Sequence, residues 1–287
     1  MATTISLLNM KGGVGKTTLA VNLAWHSYRH KKRRVLLIDL DPQFNASQYM
    51  MDFEQYKAHL KNNGSIADLL IDQPDLDLGK KKKSVVPVSK RIAQLEKGTS
   101  DHYLHFLPSQ LALAHVVKNP AQMDFRLEKI LGEIRSKYDY IFVDCAPTDS
   151  VLTTMALTAS NFILIPIRPD RFSILGYANL VDTIRSFKEK TADPNRVAEL
   201  GLIFTQVRGN NAVEKSCMDE VQSLAASFGS YVFPSTLRFS NTFLRAVEDQ
   251  TPAFETKYAR DDLKANIAGI VKDMEKRIGE LEKGPQD

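Results

Sequence analysis

The chain has 287 residues, of which 43% are apolar and 25% charged, a balance that excludes a disordered, fibrous or low-complexity protein. A net charge of +4 is too mild to identify a polyanion-binding protein by itself, and only two cysteines, Cys145 and Cys217, exclude a disulfide framework and favour the cytosol. No apolar stretch approaches the ~20 residues that span a bilayer, and Met1-Ala2-Thr3-Thr4-Ile5 shows no secretory signal, so a soluble cytoplasmic protein is expected.

Short apolar runs alternate with helical stretches along the chain. Residues 4–8 form a β-branched and aliphatic run that stops at Asn9-Met10-Lys11-Gly12-Gly13. Residues 17–28 carry Leu19 and Leu23, Ala20 and Ala24, at i and i+4, which predicts a helix. Val35-Leu36-Leu37-Ile38 ends at Asp39, Tyr140-Ile141-Phe142-Val143 at Asp144, Phe162-Ile163-Leu164-Ile165 at Pro166, and residues 200–204 at Thr205. Runs that are apolar throughout suit strands buried on both faces of a parallel sheet. Their alternation with helices predicts an α/β doubly wound, mostly parallel sheet with helices on both faces, and a single domain over residues 1–287. Ligands of such sheets bind at the carboxyl ends of strands, where the polar residues just named fall. Residues 52–100 carry glycines and few sustained apolar repeats, and read as an insertion of short helices and loops. Residues 261–282 read as an amphipathic C-terminal helix, followed by a frayed tail. Two basic blocks, Lys31-Lys32-Arg33-Arg34 and Lys80-Lys81-Lys82-Lys83, suit either a solvated surface or a phosphate polymer.

The sharpest signal is Lys11-Gly12-Gly13-Val14-Gly15-Lys16-Thr17-Thr18, set between a strand and a helix. Glycines let successive N–H groups converge on phosphate oxygens, and the following helix adds the positive end of its dipole. Lys16 is placed to reach β- and γ-phosphates and the Thr17 hydroxyl to ligate Mg²⁺. The usual pattern has glycine six residues before the lysine; here that position is Met10, and a second lysine, Lys11, follows at once.

Lys-Gly-Gly-Val-Gly-Lys-Thr-Thr resembles the deviant Walker A loop of the ParA/MinD family of P-loop ATPases. Asp39-Leu40-Asp41-Pro42-Gln43 is similar to that family's switch I segment, and Val143-Asp144-Cys145-Ala146-Pro147 to its Walker B strand and switch II. The surrounding segments look closest to the ParA-type, Soj-like partition branch. Hydrolysis of ATP needs Mg²⁺ between the β- and γ-phosphates and a carboxylate at a neighbouring strand end to hold it, which Asp144 supplies. The resemblance assigns Asp41 to aligning the attacking water and Asp39 to supporting the metal, with the division between the two left open. It also implies that Lys11 crosses a homodimer interface to the partner's phosphates. Gln206, Arg208 and Pro234 are candidates to flank the adenine.

The same resemblance implies sequence-indifferent binding of duplex DNA by an ATP-bound dimer and release through hydrolysis stimulated by a ParB-like or other adaptor. Arg238 and Arg245 are the candidate DNA contacts, extended by Lys257, Arg260, Lys264 and Lys272; the choice between this face and the 80–83 block stays open. With the phosphate loop beginning at Lys11, no N-terminal operator-binding domain is expected. The rival reading is a MinD-like membrane-cycling regulator, which needs an amphipathic terminal helix with a basic face. Asp273, Glu275, Glu280 and Glu282 offset the basic residues there, so membrane binding is not expected. An iron–sulfur carrier needs exposed, paired cysteines, and Cys145 and Cys217 read as packing residues. A small-molecule kinase or ligase has no motif in its favour, and an ATP-gated scaffold without hydrolysis is opposed by the presence of both Asp41 and Asp144.

Overall fold

The structure, a computed structural model, describes residues 2–71, 87–96, 101–121, 123–194, 196–209 and 211–283. The lysine block at 80–83 and the C-terminal tail from 284 lie outside the described residues. Among the described residues the strands are β1 (Thr3–Leu7), β2 (Arg34–Leu40), β3 (Ala93–Glu96), β4 (Tyr103–Leu107), β5 (Tyr140–Cys145), β6 (Phe162–Ile167), β7 (Ala198–Val207) and β8 (Leu237–Arg238). They form one sheet in the order β3-β4-β2-β5-β1-β6-β7-β8, parallel throughout except for β3 against β4. The helices are α1 (Lys16–Arg29), α2 (Asn45–Met50), α3 (Phe53–Asn62), α4 (Ile66–Ile71), α5 (Val88–Arg91), α6 (Ala114–Lys118), α7 (Arg126–Ile134), α8 (Val151–Ala159), α9 (Arg171–Lys190), α10 (Ala212–Phe228), α11 (Thr242–Glu248) and α12 (Asp261–Glu282).

Why the central strands are apolar at every position follows from the two faces. Successive side chains of a strand point to opposite sides. In β2, Leu36, Ile38 and Leu40 join the core under α4 and α7–α10, whereas Val35 and Leu37 join the core under α1, α2, α11 and α12. In β5, Ile141 and Val143 go one way, Tyr140 and Phe142 the other. A strand covered on both sides has no solvent position, so no polar alternation survives. Helix α12 spends its apolar stripe the same way: Leu263, Ile267, Ile270, Val271, Met274 and Ile278 are all buried. Among the described residues no helix is long and apolar enough to cross a membrane.

The expectation of only helices and loops over 52–100 needs correcting. Alongside α3, α4 and α5, residues 93–96 form β3, paired antiparallel with β4 through Ala93↔Phe106 and Gln94↔His105. Ala-Gln-Leu-Glu buries only its first residue, and four half-exposed edge residues are too few for a periodic signal. β4 itself escapes a reading by apolar runs because His105 interrupts it; its pairing with β2 is what makes it a strand.

β1 lies between β5 and β6, and the chain leaves it through α1 to reach β2 on the far side of β5. The carboxyl ends of β1, β2, β5 and β6 therefore border one crevice at the point where the winding reverses.

Helix α1 is held near its C-terminus by His26, which is buried between Phe254 (5.5 Å between ring centroids) and His30 (4.6 Å). Burial, reinforced by His30 and Lys31, lowers its pKa to about 4. The unfolded chain therefore takes up this proton near pH 6.5 and the folded chain only near 4, so His26 withdraws stability as pH falls through that window. We expect the melting temperature of wild type to fall between pH 7 and 5 by about 3 °C more than that of His26→Gln, in parallel thermal scans.

Candidate nucleotide site

The loop after β1 turns into α1 through Gly13 (φ 72°) and Gly15 (φ 84°), left-handed positions that glycine takes without strain. Gly15 caps α1 with no side-chain hydrogen bond, and the first turn holds no acidic residue. The leading N–H groups of α1 and its dipole are thus left for an anion. Three side chains tie the loop to β6 and β7: two reach it from β7, and Asn9 reaches out from the loop to β6. The Thr205 hydroxyl donates to the Val14 carbonyl (2.6 Å), the Gln206 amide to the Gly13 carbonyl (2.6 Å), and Asn9 donates to the Pro166 carbonyl (2.7 Å) while accepting from the Lys11 N–H (2.8 Å). Gln206 itself sits at φ 55°, a conformation rarely held by a non-glycine residue except where surroundings enforce it.

Lys16 is buried, and its Nζ donates to the carbonyls of Asn9 (2.9 Å) and Lys11 (3.1 Å), lying across the cradle of its own loop. Burial lowers its pKa, opposed chiefly by the nearby Asp144 carboxylate. Thr17 donates its hydroxyl to Asp144 Oδ2 at 2.6 Å. The other oxygen, Asp144 Oδ1, is buried with no hydrogen-bond partner. Burial pushes the Asp144 carboxyl up to about 7 despite Thr17 and Lys16. An orphaned carboxylate oxygen beside a hydroxyl, in a dry site, fits a divalent cation: Thr17 and Asp144 are the residues that would hold Mg²⁺.

Asp39 faces Asp144 across β2 and β5 in direct register. Both its oxygens are already taken: Oδ1 accepts from the Asp41 N–H (3.1 Å), Oδ2 from the Ser47 N–H and hydroxyl (2.8 Å each). Burial and the Asp144 charge raise its pKa well above the carboxylate norm. With both oxygens taken, Asp39 organises the loop. Asp41, also buried, has Oδ1 bonded to the Gln43 N–H at 2.9 Å, a local turn that fixes the direction of the carboxylate.

Lys11 points away from the loop to the surface. Its Nζ meets both oxygens of Asp170 (2.6 and 2.7 Å), the residue that caps α9, and lies 5.6 Å from the Phe172 ring. Phe172 and Leu175 are 77% and 71% exposed. A cation and two bare apolar side chains thus share one face.

A cleft of about 200 Å³ opens beside the loop, lined among others by Gly15, Thr18, Gln206, Leu237, Phe239 and Phe243. Of the adenine candidates, Gln206 lines it. Arg208 lies at its edge, its guanidinium 4.6 Å from the centre of the Phe239 ring. Pro234 does not line it; there the backbone turns toward α12, where the Ser235 N–H donates to Asp273 (3.2 Å). Phe239, just past β8, and Phe243, in the two-turn helix α11, escape a sequence reading because neither belongs to a stretch long enough to show a period, although aromatics in a polar stretch are the available signal. Arg238 lines the same cleft from its exposed position on β8, and Arg245 on α11 lies 3.9 Å from the centre of the Tyr258 ring. Cys145 and Cys217 are both buried.

A strand–loop–helix phosphate cradle with a hydroxyl and a carboxylate at its mouth defines a P-loop ATPase. The sequence matches the AAA domain family (AAA_31) over residues 2–196. It is 31% identical over 230 residues to the sporulation initiation inhibitor protein Soj of Bacillus subtilis, covering 77% of this chain and 79% of that one. It is 32% identical over 220 residues to the chromosome partitioning protein ParA of Myxococcus xanthus, covering 76% and 70%. In fold it resembles apo McdA of Cyanothece (TM-score 0.75, 20% identity, 96% of this chain and 99% of that one). A putative plasmid partition protein of Borrelia burgdorferi bound to AMPPNP gives a TM-score of 0.69 at 22% identity, covering 99% and 100%. The chain belongs to the ParA/MinD family of P-loop ATPases, close to its Soj-type members.

The clamp from β7 onto the loop gives a direct test. Thr205→Val keeps the shape but leaves the Val14 carbonyl unpaired in a buried position, at a cost of about 1–3 kcal/mol in denaturant unfolding. Affinity for a fluorescent ATP analogue should fall with it, since the loop loses its fixed backbone.

Proposed function

We propose that the protein dimerises on binding ATP, holds duplex DNA without sequence preference in that state, and lets go when an adaptor of the ParB type stimulates hydrolysis, serving partition of DNA or positioning of a cargo over the nucleoid. The observation that carries the hydrolytic part is the meeting of Lys16, Thr17 and Asp144 at the ends of β1 and β5, with one buried carboxylate oxygen unpartnered.

Each residue then has a task. Lys16 exchanges the Asn9 and Lys11 carbonyls for phosphate oxygens, a swap of neutral acceptors for charged ones that strengthens its bonds. Thr17 and Asp144 hold Mg²⁺, which when bound neutralises charge on the β- and γ-phosphates. Asp41 orients the attacking water from a turn that Asp39 keeps in place. The cleft at Gln206 and Phe239 receives the base. In the single chain Asp170 neutralises Lys11; in the dimer the partner's phosphates take over that charge, and Phe172 and Leu175 give the interface its apolar patch.

On the DNA side, Arg260 and Lys264 are paired with Asp262 and Asp261, whereas among the described residues no carboxylate forms an ion pair with Arg238, Arg245 or Lys257. These three are cations near β8 and α11 that no ion pair neutralises among the described residues. Burial of the apolar stripe of α12 favours this reading over membrane cycling, because the stripe is spent on the core and has no face left for lipid.

Asp41→Ala should bind ATP and remain a dimer, since it spares the phosphate and metal contacts while removing the group that aligns water. Size-exclusion chromatography in ATP should show a dimer that outlasts that of wild type; a variant that stays monomeric while wild type dimerises would reverse the assignment.

Binding to unrelated duplexes, followed by fluorescence anisotropy, should require ATP and vanish in the Arg238→Glu, Arg245→Glu double variant. With about six phosphates neutralised, raising salt from about 50 to 200 mM should weaken it roughly a thousandfold. Absence of duplex binding at low salt, together with ATP-dependent co-sedimentation with anionic liposomes, would favour the membrane reading.

A further inference from the structure

We infer that Ser109 is a positioning residue for the Asp41 carboxylate, acting through the backbone of the loop between β2 and α2; the inference rests on the hydrolytic role proposed for Asp41. Ser109 follows β4, on the opposite side of β2 from β5, and is fully buried. Its hydroxyl donates to the Asp41 carbonyl at 2.8 Å. Its N–H donates to the Ser47 hydroxyl oxygen (2.9 Å), and that hydroxyl donates in turn to Asp39 Oδ2 (2.8 Å). Its carbonyl accepts from the Tyr56 hydroxyl of α3 at 2.8 Å. One residue thus joins both aspartates of the loop, the first turn of α2 and the side of α3.

The loop needs such an anchor because its own geometry is not relaxed. The turn closes with the Phe44 N–H on the Asp41 carbonyl (2.9 Å), and Phe44 is then held at φ 44°, ψ 39°, a left-handed conformation that costs an aromatic residue free energy. The Phe44 ring is kept there by stacking on Tyr56, 5.8 Å between centroids and 11° between planes. A strained turn relaxes when an anchor is withdrawn, and the first residue to move is the one whose carbonyl was held, Asp41. None of these bonds reaches the phosphate loop or Asp144, so the loss of Ser109 should spare the binding of ATP and act on turnover.

The test measures steady-state hydrolysis, affinity for a fluorescent ATP analogue and melting temperature for wild type, Ser109→Ala, Ser109→Cys and Asp41→Ala. Cysteine is somewhat larger than serine and donates only weakly, so it keeps the site filled and decides the matter if alanine fails to fold. We expect both Ser109 variants to lose between about tenfold and a hundredfold in kcat, the scale of a misplaced catalytic group, with KM and analogue affinity within about twofold of wild type. Wild-type kcat in Ser109→Cys, or in a folded Ser109→Ala, beside an inactive Asp41→Ala would overturn the inference and leave the role of Asp41 standing. Equal losses in kcat and ATP affinity with a lowered melting temperature would overturn it in favour of a purely structural role. Wild-type turnover in Asp41→Ala would overturn both readings together.

Discussion

Asp39 and Asp144 sit opposite each other at the ends of two paired strands, and both are buried. Two carboxylates in such a place repel, and each loses several kcal/mol of hydration if it stays charged. The chain meets that problem differently at the two sites. Asp39 is wrapped by three donors from its own loop, so that what would be a buried charge becomes the peg around which residues 41–47 are folded. Asp144 receives one donor, Thr17, and the distant help of Lys16, which are not enough to offset burial. Its second oxygen is buried with no hydrogen-bond partner. Through this pair the first turn of α1 is joined to β5 by Thr17, and the Asp41 backbone is held at the end of β2.

The phosphate loop is held by bonds that reach across the sheet more than by its own sequence. Glycine takes up the left-handed turns at 13 and 15, but the position of their carbonyls is set by Thr205 and Gln206 at the end of β7. Gln206 is itself in a left-handed conformation, which costs about 1–3 kcal/mol. A hydrogen bond contributes about 1 kcal/mol net, so the clamp holds only with the help of the surrounding β7 core. Strained backbone thus occurs on both sides, at Gln206 beside the phosphate loop and at Phe44 in the loop after β2.

Surface chemistry follows the same economy. Helix α12 turns its apolar stripe inward and leaves an acidic and basic mixture outside, whereas the start of α9 leaves Phe172 and Leu175 bare beside the paired Lys11 and Asp170. The bare apolar pair and the neutralised charge thus lie together, close to the start of the phosphate loop.

The doubly wound architecture, the phosphate loop between β1 and α1, the aspartates at the strand ends and α12 were all legible in the sequence, because each is written in a stretch of consecutive residues: an apolar run, a glycine-rich octapeptide, a repeat of three and four. β3 was not legible, since a four-residue edge strand exists only through its partner. Nor were the ion pair of Lys11 with Asp170, 159 residues apart, the clamp of Thr205 on Val14, 191 apart, or the bond of Ser109 to Asp41, 68 apart. Whether Asp39 or Asp41 keeps a free oxygen belongs to the same class, as does the absence of Pro234 from the cleft beside the phosphate loop. Local pattern selects elements because helix and strand periods are properties of neighbouring residues. Hydrogen bonds between distant side chains depend on the path of the backbone between them, and only the folded chain brings those partners within reach.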